Sequence, residues 1–407
     1  MRLYVDCSHA FRAPARRGID RVVTKVLDHA PAICAASGVE CHPVAWSEDG
    51  SFRIIPAAAA QRNVERVERV KLRTVDVLER ARLHFVRLLL RSVYRFAKRS
   101  RMRAYLRARP AVRFQSGDVL FCPDANWMLP AEYMGSLQTA SARIVPLFYD
   151  LIPVTHPQYL VAEHVAMFRR WLDDLVAVAD FGLAISDTTA RAVEEHAARQ
   201  RVELEVRTTY LGADFDVMSR EPGARDEVAK VMTSKPYLVV GALEPRKNHE
   251  LVYRAFQLLW QRGSGAALCF IGAVTPLAEP FVEELRASPQ WGSRVFVLEG
   301  VDDEELSFCY RNATALIASS IAEGFDLPAV EALHHSLPVL ASRTPVHEEI
   351  VGATVAYFER AEDLAGQIEH GPPPAGGEFK WLGWEESVRG MVESLLQQPV
   401  YELDTGL

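Results

Sequence analysis

The sequence lacks the features that mark disulfide-rich, membrane-spanning and serine-hydrolase proteins. Its six cysteines are scattered, without a C-x-x-C pair, which excludes a disulfide or zinc framework and predicts reduced thiols in a cytoplasmic protein. No apolar run is long enough to cross a membrane. The chain reaches Asp6 soon after its start, which predicts a first strand and no signal peptide. The absence of a G-x-S-x-G element argues against a serine hydrolase of the kind that uses it.

Negative charge exceeds positive charge overall, but the positive charge is concentrated in one segment. The formal net charge is −7 at pH 7, which excludes a protein that binds nucleic acid over its whole surface. Residues 61–113 hold 17 Lys and Arg against 4 Asp and Glu, so the rest of the chain carries a net charge of −20. Within the segment, arginines recur every four residues with apolar side chains between them: Arg87, Arg91, Arg95, Arg99, Arg103 and Arg107.

This basic amphipathic segment predicts contact with an anionic membrane surface. Two other interpretations stay open: a solvated arm whose arginines pair with acids elsewhere, and an arm that docks a protein partner. RNA binding is disfavoured because no aromatic platform accompanies the charge. We therefore expect a cytoplasmic protein that is peripheral on the inner face of the cytoplasmic membrane, with no nucleic-acid partner.

Strand and helix patterns alternate along the chain and predict two α/β domains. A chain of 407 residues exceeds one ordinary domain. Apolar, β-branched runs alternate with helical patterns, which is typical of parallel sheets covered by helices on both faces. The alternation breaks at residues 216–235, which predicts a linker between a first domain at 1–215 and a second at 236–383. Ligands of such sheets bind at the carboxyl ends of the strands, so we expect an active site in the cleft between the domains.

The stretch Ser319–Glu331, SSIAEGFDLPAVE, carries the most specific chemistry. It follows an apolar strand and opens a helix at Pro328, a residue suited to a first helical turn. Gly324 allows a ligand to approach the backbone, and the free amides of the helix start favour a phosphate. Glu323 and Glu331 stand on either side, where their carboxylates can accept hydrogen bonds from the vicinal hydroxyls of a ribose and a hexose. Together these residues indicate a nucleotide-sugar site.

Residues Glu323–Glu331 resemble the E-G-F-G-L-P-x-x-E signature of family 4 glycosyltransferases, and Val240–Asn248 is similar to the loop that holds the diphosphate in those enzymes. The resemblance implies an α/β fold of GT-B type, with two facing Rossmann-like doubly wound domains. It also implies retaining transfer from a nucleotide-diphosphate sugar, and a last helix within 384–407 that crosses back to the first domain. The residues that it implies for donor binding are Gly241, Gly324, Phe325, Asp326, Leu327 and Glu331.

Further matches lie in the first domain. Phe148–Pro153 resembles the H-D-L-I-P element of the family, and Arg17–Val23 is similar to the glycine loop before its first long helix. Arg17 and Gly18 are therefore candidates for a contact with the diphosphate or the acceptor.

Three residues depart from the pattern of the family. Asp326 replaces a glycine, and its side chain either reads a sugar hydroxyl or caps the following helix; we expect the cap. Tyr149 stands where many relatives have histidine, which removes any role of that imidazole. Ala242 stands where many have arginine, so Arg246 and Lys247 are the cations left for the diphosphate.

The reaction indicates what these residues would do. Cleavage of a sugar–phosphate bond places negative charge on the leaving diphosphate, so fixed cations matter more than a strong base. We expect Arg246 to hold two phosphate oxygens and Lys247 to add a compact charge. Asp150 follows an apolar strand, where it orients the acceptor hydroxyl, contacts the donor sugar or stabilises a turn. Arg246, Lys247, Glu323 and Asp150 are thus the predicted catalytic residues.

No metal cofactor is predicted. Asp214 and Asp216 form a D-x-D, the metal motif of the other common glycosyltransferase fold, but they fall at the predicted linker and are interpreted as turn residues. We expect transfer of a hexose to a hydroxyl of a lipid-linked or surface-polysaccharide glycan. Mannose from GDP-mannose is the expected donor, because the P-R-K-N form of the loop resembles bacterial polysaccharide mannosyltransferases. Rhamnose, glucose or galactose, and a catalytically silent sugar-nucleotide-binding module, stay open as alternatives.

Overall fold

Two β-sheets, one in each half of the chain, form the framework of the protein. The computed structural model describes residues 1–12, 18–56, 100–214, 223–371 and 379–397. Most of the basic segment 61–113, together with Arg17 and Asp216, lies outside these described residues, so what the sequence analysis expects of them stays a prediction.

The first sheet is parallel except at one edge. In the described chain it consists of β1 (Arg2–Asp6), β2 (Glu40–Trp46), β3 (Phe52–Ile54), β4 (Val119–Cys122), β5 (Arg143–Phe148), β6 (Gly182–Ala184) and β7 (Val206–Thr208). The strand order is β3-β2-β1-β4-β5-β6-β7, and only the β2–β3 pair is antiparallel. β3 is a strand of three residues at the edge of the sheet.

The second sheet is parallel throughout. Its strands in the described chain are β8 (Tyr237–Val240), β9 (Leu268–Ile271), β10 (Val295–Leu298), β11 (Ala315–Ala318), β12 (Val339–Ser342) and β13 (Ala356–Phe358). The order β10-β9-β8-β11-β12-β13 is doubly wound, as is the parallel part of the first sheet. Most residues of these strands are buried, which explains their continuous apolar runs. The predicted pair of doubly wound sheets is confirmed.

Helices cover the sheets and connect their strands. In the described chain the α-helices are Ser8–Arg12, Ile19–Ala36, Glu132–Gln138, Ile152–Thr155, Ala162–Val176, Asp187–Arg199, Asp226–Met232, His249–Gln261, Glu279–Ala287, Asp303–Asn312, Leu327–His334, Pro345–Ile350, Ala361–Glu369 and Trp384–Leu396, with residues 100–107 also helical.

The predicted linker at 216–235 differs from the structure in its second half. Asp226–Met232 forms a helix whose Val228 and Met232 are buried. Just before it, the backbone amide of Arg225 donates to Glu305 at 3.1 Å. Polar and turn residues around this helix concealed its two-turn apolar face, which packs in the second half of the chain.

The last described helix, Trp384–Leu396, returns to the first half of the chain. The Ser387 hydroxyl donates to the Tyr210 carbonyl at 2.7 Å, and the Trp384 amide donates to Asp214 at 2.5 Å. Asp214 therefore binds the start of this helix. Among the described residues, no helix is both long and apolar enough to span a bilayer.

Candidate functional site

The loop that follows β11 lies directly against the end of β5. A Cβ added at Gly324 would stand 1.8 Å from the backbone oxygen of Tyr149 and 3.2 Å from Cβ of Asp150. No other residue fits there without moving the loop, which accounts for the glycine. This contact brings the carboxyl ends of strands from the two sheets together and places the predicted site residues on both sides of one cleft.

Glu323 is the centre of a buried cluster of charges. One of its oxygens accepts a hydrogen bond from Ser320 at 2.6 Å and contacts the Lys247 ammonium; the other lies 2.9 Å from the Arg246 guanidinium. Burial alone would raise the pKa of Glu323, but the two cations outweigh burial and lower that pKa to about 2. Glu323 is therefore a carboxylate at neutral pH.

Lys247 and its neighbour Arg246 lie in the 3₁₀ turn Pro245–Lys247, just before the helix His249–Gln261. Gly241, at the end of β8, leaves space for the Lys247 side chain. A Cβ at Gly241 would lie 3.1 Å from Lys247 Cε, and the φ of 139° at this position also favours glycine. Gly241 therefore serves to admit the lysine to the cluster.

Arg246 already has several partners. Its Nε lies 2.7 Å from Glu244. Its Nη1 lies 2.9 Å from Glu323 and donates to the Ala322 carbonyl at 2.9 Å. Burial opposes its charge, but Glu323, Glu244 and Asp150 outweigh burial and raise the pKa of Arg246. The Arg246 guanidinium, which was predicted to hold two phosphate oxygens, is thus paired with carboxylates. A bound diphosphate would have to displace them.

Asp326 does not cap the helix that follows it, so the predicted cap is wrong. The residue has left-handed backbone angles, φ 68° and ψ 60°, and its side chain makes no capping hydrogen bond. Its Oδ2 is instead 2.9 Å from Nε2 of His347, and its Oδ1 is 3.7 Å from Nζ of Lys247. The carboxylate is engaged by these two groups rather than by the helix amides.

Two of the residues implied for donor binding pack their side chains in or against the core. Phe325 is 3% exposed, and its ring packs against Trp381 with centroids 5.7 Å apart. Leu327 also packs against the core. Any contact between Phe325 and a donor would therefore come from its backbone atoms.

Asp150 faces the second half of the chain across the cleft. Its Oδ1 accepts a hydrogen bond from the Ile152 amide at 2.9 Å, which is the turn-stabilising arrangement. Burial raises the pKa of Asp150, and the Arg246 cation offsets part of that rise. The carboxylate thus both closes a turn and lies within the electrostatic reach of the cluster.

An open cavity of about 240 Å³ adjoins Asp150. Aromatic side chains from the first half of the chain, Trp127, Phe168 and Trp171, form part of its wall, and Glu244 and Arg246 contribute from the second half. Its size is near the lower end for small-molecule pockets. The cavity can take a ring with one apolar face and polar substituents.

Gly18 and Tyr149 lie at the margin of this site. Gly18 is exposed with φ 61°, and nothing lies within 4 Å of a Cβ added to it, although the next residue, Ile19, lines the cavity. The Tyr149 hydroxyl donates to the Pro123 carbonyl at 2.6 Å, and burial raises the pKa of this phenol. Tyr149 therefore does not substitute for an imidazole base.

A family comparison bears on the half of the chain that contains the cluster. Residues 222–370 match the model of the family described as glycosyl transferases group 1. These residues form a glycosyltransferase group 1 domain. The match covers β8 to β13 and includes every residue of the Glu323 cluster contributed by the second sheet.

The curated relatives of this glycosyltransferase domain are bacterial. The serotype-specific mannosyltransferase WbdA of Escherichia coli is 29% identical over 306 residues, which cover 70% of this chain and 38% of WbdA. O-antigen chain mannosyltransferase B of Escherichia coli is 26% identical, over 52% of this chain and 55% of the relative. O-antigen chain mannosyltransferase RfbU of Salmonella typhimurium is 22% identical, over 57% of this chain and 65% of RfbU. The chain thus spans less than two thirds of the length of these relatives.

Solved structures show which fold the two sheets form. HepE of Anabaena, in complex with UDP and glucose, has a TM-score of 0.56 at 12% identity and covers 97% of this chain and 95% of its own. An α,α-trehalose-phosphate synthase from Burkholderia xenovorans has a TM-score of 0.52 at 13% identity, over 70% of this chain and 74% of the synthase. The two sheets have the GT-B arrangement, as the resemblance implied.

Glu331 of the glycosyltransferase domain already has partners for both oxygens. Its Oε1 is 2.5 Å from the Arg21 guanidinium, and its Oε2 accepts a hydrogen bond from the Tyr310 hydroxyl at 3.0 Å. Arg21 also lies 2.6 Å from Asp303. Arg21 thus links the first long helix to the domain, and the predicted ribose contact of Glu331 would add to or replace this link.

Sequence reasoning missed Arg21, Tyr310 and His347, whose partners are distant in the chain. It also missed a grouping of His9, Asp20 and Asp124 at the first sheet, which offer one metal-ligand atom each within 4.8 Å of one another. The Asp124 carboxylate there accepts hydrogen bonds from three backbone amides: those of His9, Ala10 and Ala125. Burial and the Asp6 charge raise the pKa of Asp124 to about 7. Two of these amides belong to the helix Ser8–Arg12, so Asp124 holds that helix at the end of the first sheet.

Proposed function

We propose that this chain transfers a hexose from a nucleotide-diphosphate donor to a hydroxyl of a glycan acceptor, with retention of anomeric configuration. We further propose that the donor is GDP-mannose and that the acceptor is a lipid-linked or surface-polysaccharide glycan. The mannosyltransferase names of WbdA, mannosyltransferase B and RfbU support the choice of sugar and acceptor.

The observation that carries the proposal is the meeting of Arg246, Lys247 and Glu323 beside a helix start at the cleft. Two cations and the amide end of a helix are the groups that stabilise a leaving diphosphate. Glu323 fixes both cations and, as a carboxylate at neutral pH, accepts hydrogen bonds from sugar hydroxyls. No strong base is needed for departure of the diphosphate.

The acceptor side of the proposal rests on Asp150 and the aromatic cavity. A sugar ring buries its apolar C–H face against the side chains of Trp127, Phe168 and Trp171. Asp150, at the same cavity, would then orient the attacking hydroxyl toward the donor. Because burial raises the pKa of Asp150, the fraction of carboxylate depends on which charges lie in the cleft.

A donor screen with and without acceptor tests the proposal. The chain is incubated with GDP-mannose, GDP-rhamnose, UDP-glucose and UDP-galactose, and both nucleotide release and the thermal midpoint of unfolding are measured. We expect stabilisation by GDP-mannose and acceptor-dependent release of GDP, with an α-linked product by NMR. Binding without transfer would support the silent module, and no stabilisation by any donor would contradict the proposal.

We propose in addition that residues 61–113 hold the protein at an anionic membrane. Sedimentation with vesicles that contain or lack phosphatidylglycerol tests this, because attraction by Lys and Arg requires the anionic lipid. Equal sedimentation with both vesicles would contradict an electrostatic contact. No sedimentation would favour the solvated arm or the protein-docking arm.

A further inference from the structure

Asp326 occupies a backbone conformation that favours glycine. Its φ of 68° lies in the left-handed region, and the residue makes no helix cap there. Its side chain is nevertheless buried, with 3% of its surface exposed. An aspartate retained in such a position needs a reason, and its two neighbours, Lys247 and His347, supply one.

His347 is fully buried, and both of its ring nitrogens face hydrogen-bond acceptors. Nδ1 lies 2.7 Å from the carbonyl oxygen of Ser342, and Nε2 lies 2.9 Å from Oδ2 of Asp326. A carbonyl and a carboxylate only accept hydrogen bonds, so each nitrogen must carry a hydrogen. The Ser342 hydroxyl, 3.3 Å from Nδ1, donates instead to the Ser320 carbonyl at 2.6 Å. These partners favour a charged imidazolium.

The charges around His347 alternate in sign. Glu323, Lys247, Asp326 and His347 follow one another as anion, cation, anion and cation, with Lys247 Nζ in contact with Glu323 and 3.7 Å from Asp326. In a buried environment such neighbouring charges act strongly on one another. The ammonium of Lys247 is thus shared between two carboxylates, of which His347 holds one.

Other titratable groups near His347 have separate partners. Tyr357, on β13, donates its hydroxyl to the backbone carbonyl of His347 at 3.0 Å rather than to the ring. On the helix of His347 itself, Glu348 pairs with Arg343 at 2.7 Å, and Glu349 accepts from the Thr188 hydroxyl at 2.6 Å. Asp326 is therefore the direct charge partner of the imidazole, with Glu323 farther away.

We propose that His347 is a positioning residue for Lys247 and acts on it through Asp326. The proposal rests on the proposed function, in which Lys247 stabilises the leaving diphosphate. A protonated His347 holds Asp326 in place, so the ammonium stays between Glu323 and Asp326. Without the imidazolium, the Asp326 carboxylate has Lys247 as its remaining charge partner and draws the ammonium away from Glu323.

A pH dependence follows from this arrangement. Burial lowers the pKa of His347, but the hydrogen bond and charge of Asp326 outweigh burial and raise the pKa above the ordinary 6.5. A raised pKa means that the folded site stabilises the charged form of His347. The positioning effect is therefore present below pH 6.5 and is lost as pH rises through the folded-state pKa of His347.

Kinetics of His347→Phe, Asp326→Gly and the double variant test the proposal. We expect His347→Phe to lower kcat about 10- to 100-fold with a smaller change in KM, and to remove the alkaline fall of the pH profile. Asp326→Gly suits the left-handed backbone and removes the misdirecting carboxylate, so the double variant should recover most of the lost kcat. His196→Phe is the matched control, because His196 is a buried histidine that pairs with Asp173 at 2.8 Å outside the site.

Nitrogen NMR of ¹⁵N-histidine-labelled protein provides a readout independent of turnover. We expect the His347 ring, assigned with His347→Phe, to be doubly protonated at pH 6.5 in the original chain and neutral in Asp326→Gly. A neutral ring in the original chain, unchanged kcat in His347→Phe, or no recovery in the double variant would overturn the proposal. If no variant and no original chain transfers sugar, the proposed function fails, while the NMR result still decides whether Asp326 holds the proton on His347.

Discussion

Replacement of Gly324 by alanine is the sharpest test of how the two halves of the chain form one site. The new Cβ would stand 1.8 Å from the Tyr149 oxygen, whereas real Cβ contacts do not fall below 3.0 Å, so the loop and the end of β5 must separate by about 1.2 Å. Overpacking of this kind costs about 1–3 kcal/mol of stability. A misplacement of about 1 Å lowers the rate of an enzyme about 10²-fold, because the reacting groups lose their alignment. We therefore expect Gly324→Ala to unfold at a lower temperature and to lose about 10²-fold in kcat/KM.

The assay pairs thermal unfolding with donor turnover, and Gly366→Ala is the control. Gly366 lies within the helix Ala361–Glu369, and nothing lies within 4 Å of a Cβ added there. Alanine in a helix interior stabilises by about 0.5–1 kcal/mol relative to glycine, so this control should raise the unfolding temperature and leave turnover unchanged. Full turnover and unchanged stability in Gly324→Ala would refute the close approach of the two halves.

Three further outcomes are expected. Lys247→Met should lower kcat about 10- to 10³-fold, since it removes a cation from the leaving diphosphate. Lys230→Met, on the exposed surface, should have the kcat of the original chain. Equal kcat in both variants would contradict the role of Lys247 at the diphosphate. The pKa of Glu323 falls from 4.5 to about 2 in the folded state, so the stability that its charge contributes is complete above pH 4.5 and is lost as pH falls toward 2. In urea unfolding, the free energies of Glu323→Gln and the original chain should therefore differ less at acid pH than at neutral pH. A difference that stays constant with pH would contradict the pairing. EDTA should leave donor turnover unchanged, and a loss that added Mn²⁺ restores would instead favour an ion at the His9, Asp20 and Asp124 grouping.

The parallel sheets were predictable because their strands are buried on both faces. Each of the segments Tyr237–Val240, Leu268–Ile271 and Ala315–Ala318 is apolar without interruption, and a helical pattern follows each one. The same reasoning placed Asp150 and Glu323 after strand ends, where the structure has them. Local pattern suffices here because the strand, its loop and the next helix are neighbours in the chain.

Local pattern fails where a side chain has a distant partner. Arg21 and Glu331 lie 310 residues apart, and Asp326 and His347 lie on different elements of the second domain. A helix cap was the better local explanation for Asp326, but its side chain pairs with His347 and makes no capping hydrogen bond. One missed helix did have a local signal: Asp302 and Glu305 form a capping box at the start of Asp303–Asn312, with the spacing that such boxes require.

The carboxylates of the cluster explain how two cations can stand side by side before a helix. Arg246 and Lys247 precede the start of His249–Gln261, where the helix dipole disfavours positive charge. Glu323 contacts both cations and so offsets this conflict while no anion is bound. Under the proposed function, a bound diphosphate neutralises the two cations in place of Glu323. Each carboxylate that the diphosphate displaces is then free to accept a hydrogen bond from a sugar hydroxyl. Donor binding is then an exchange of ion-pair partners, which requires the carboxylates to be held by the protein, as His347 holds Asp326, rather than by the cations alone.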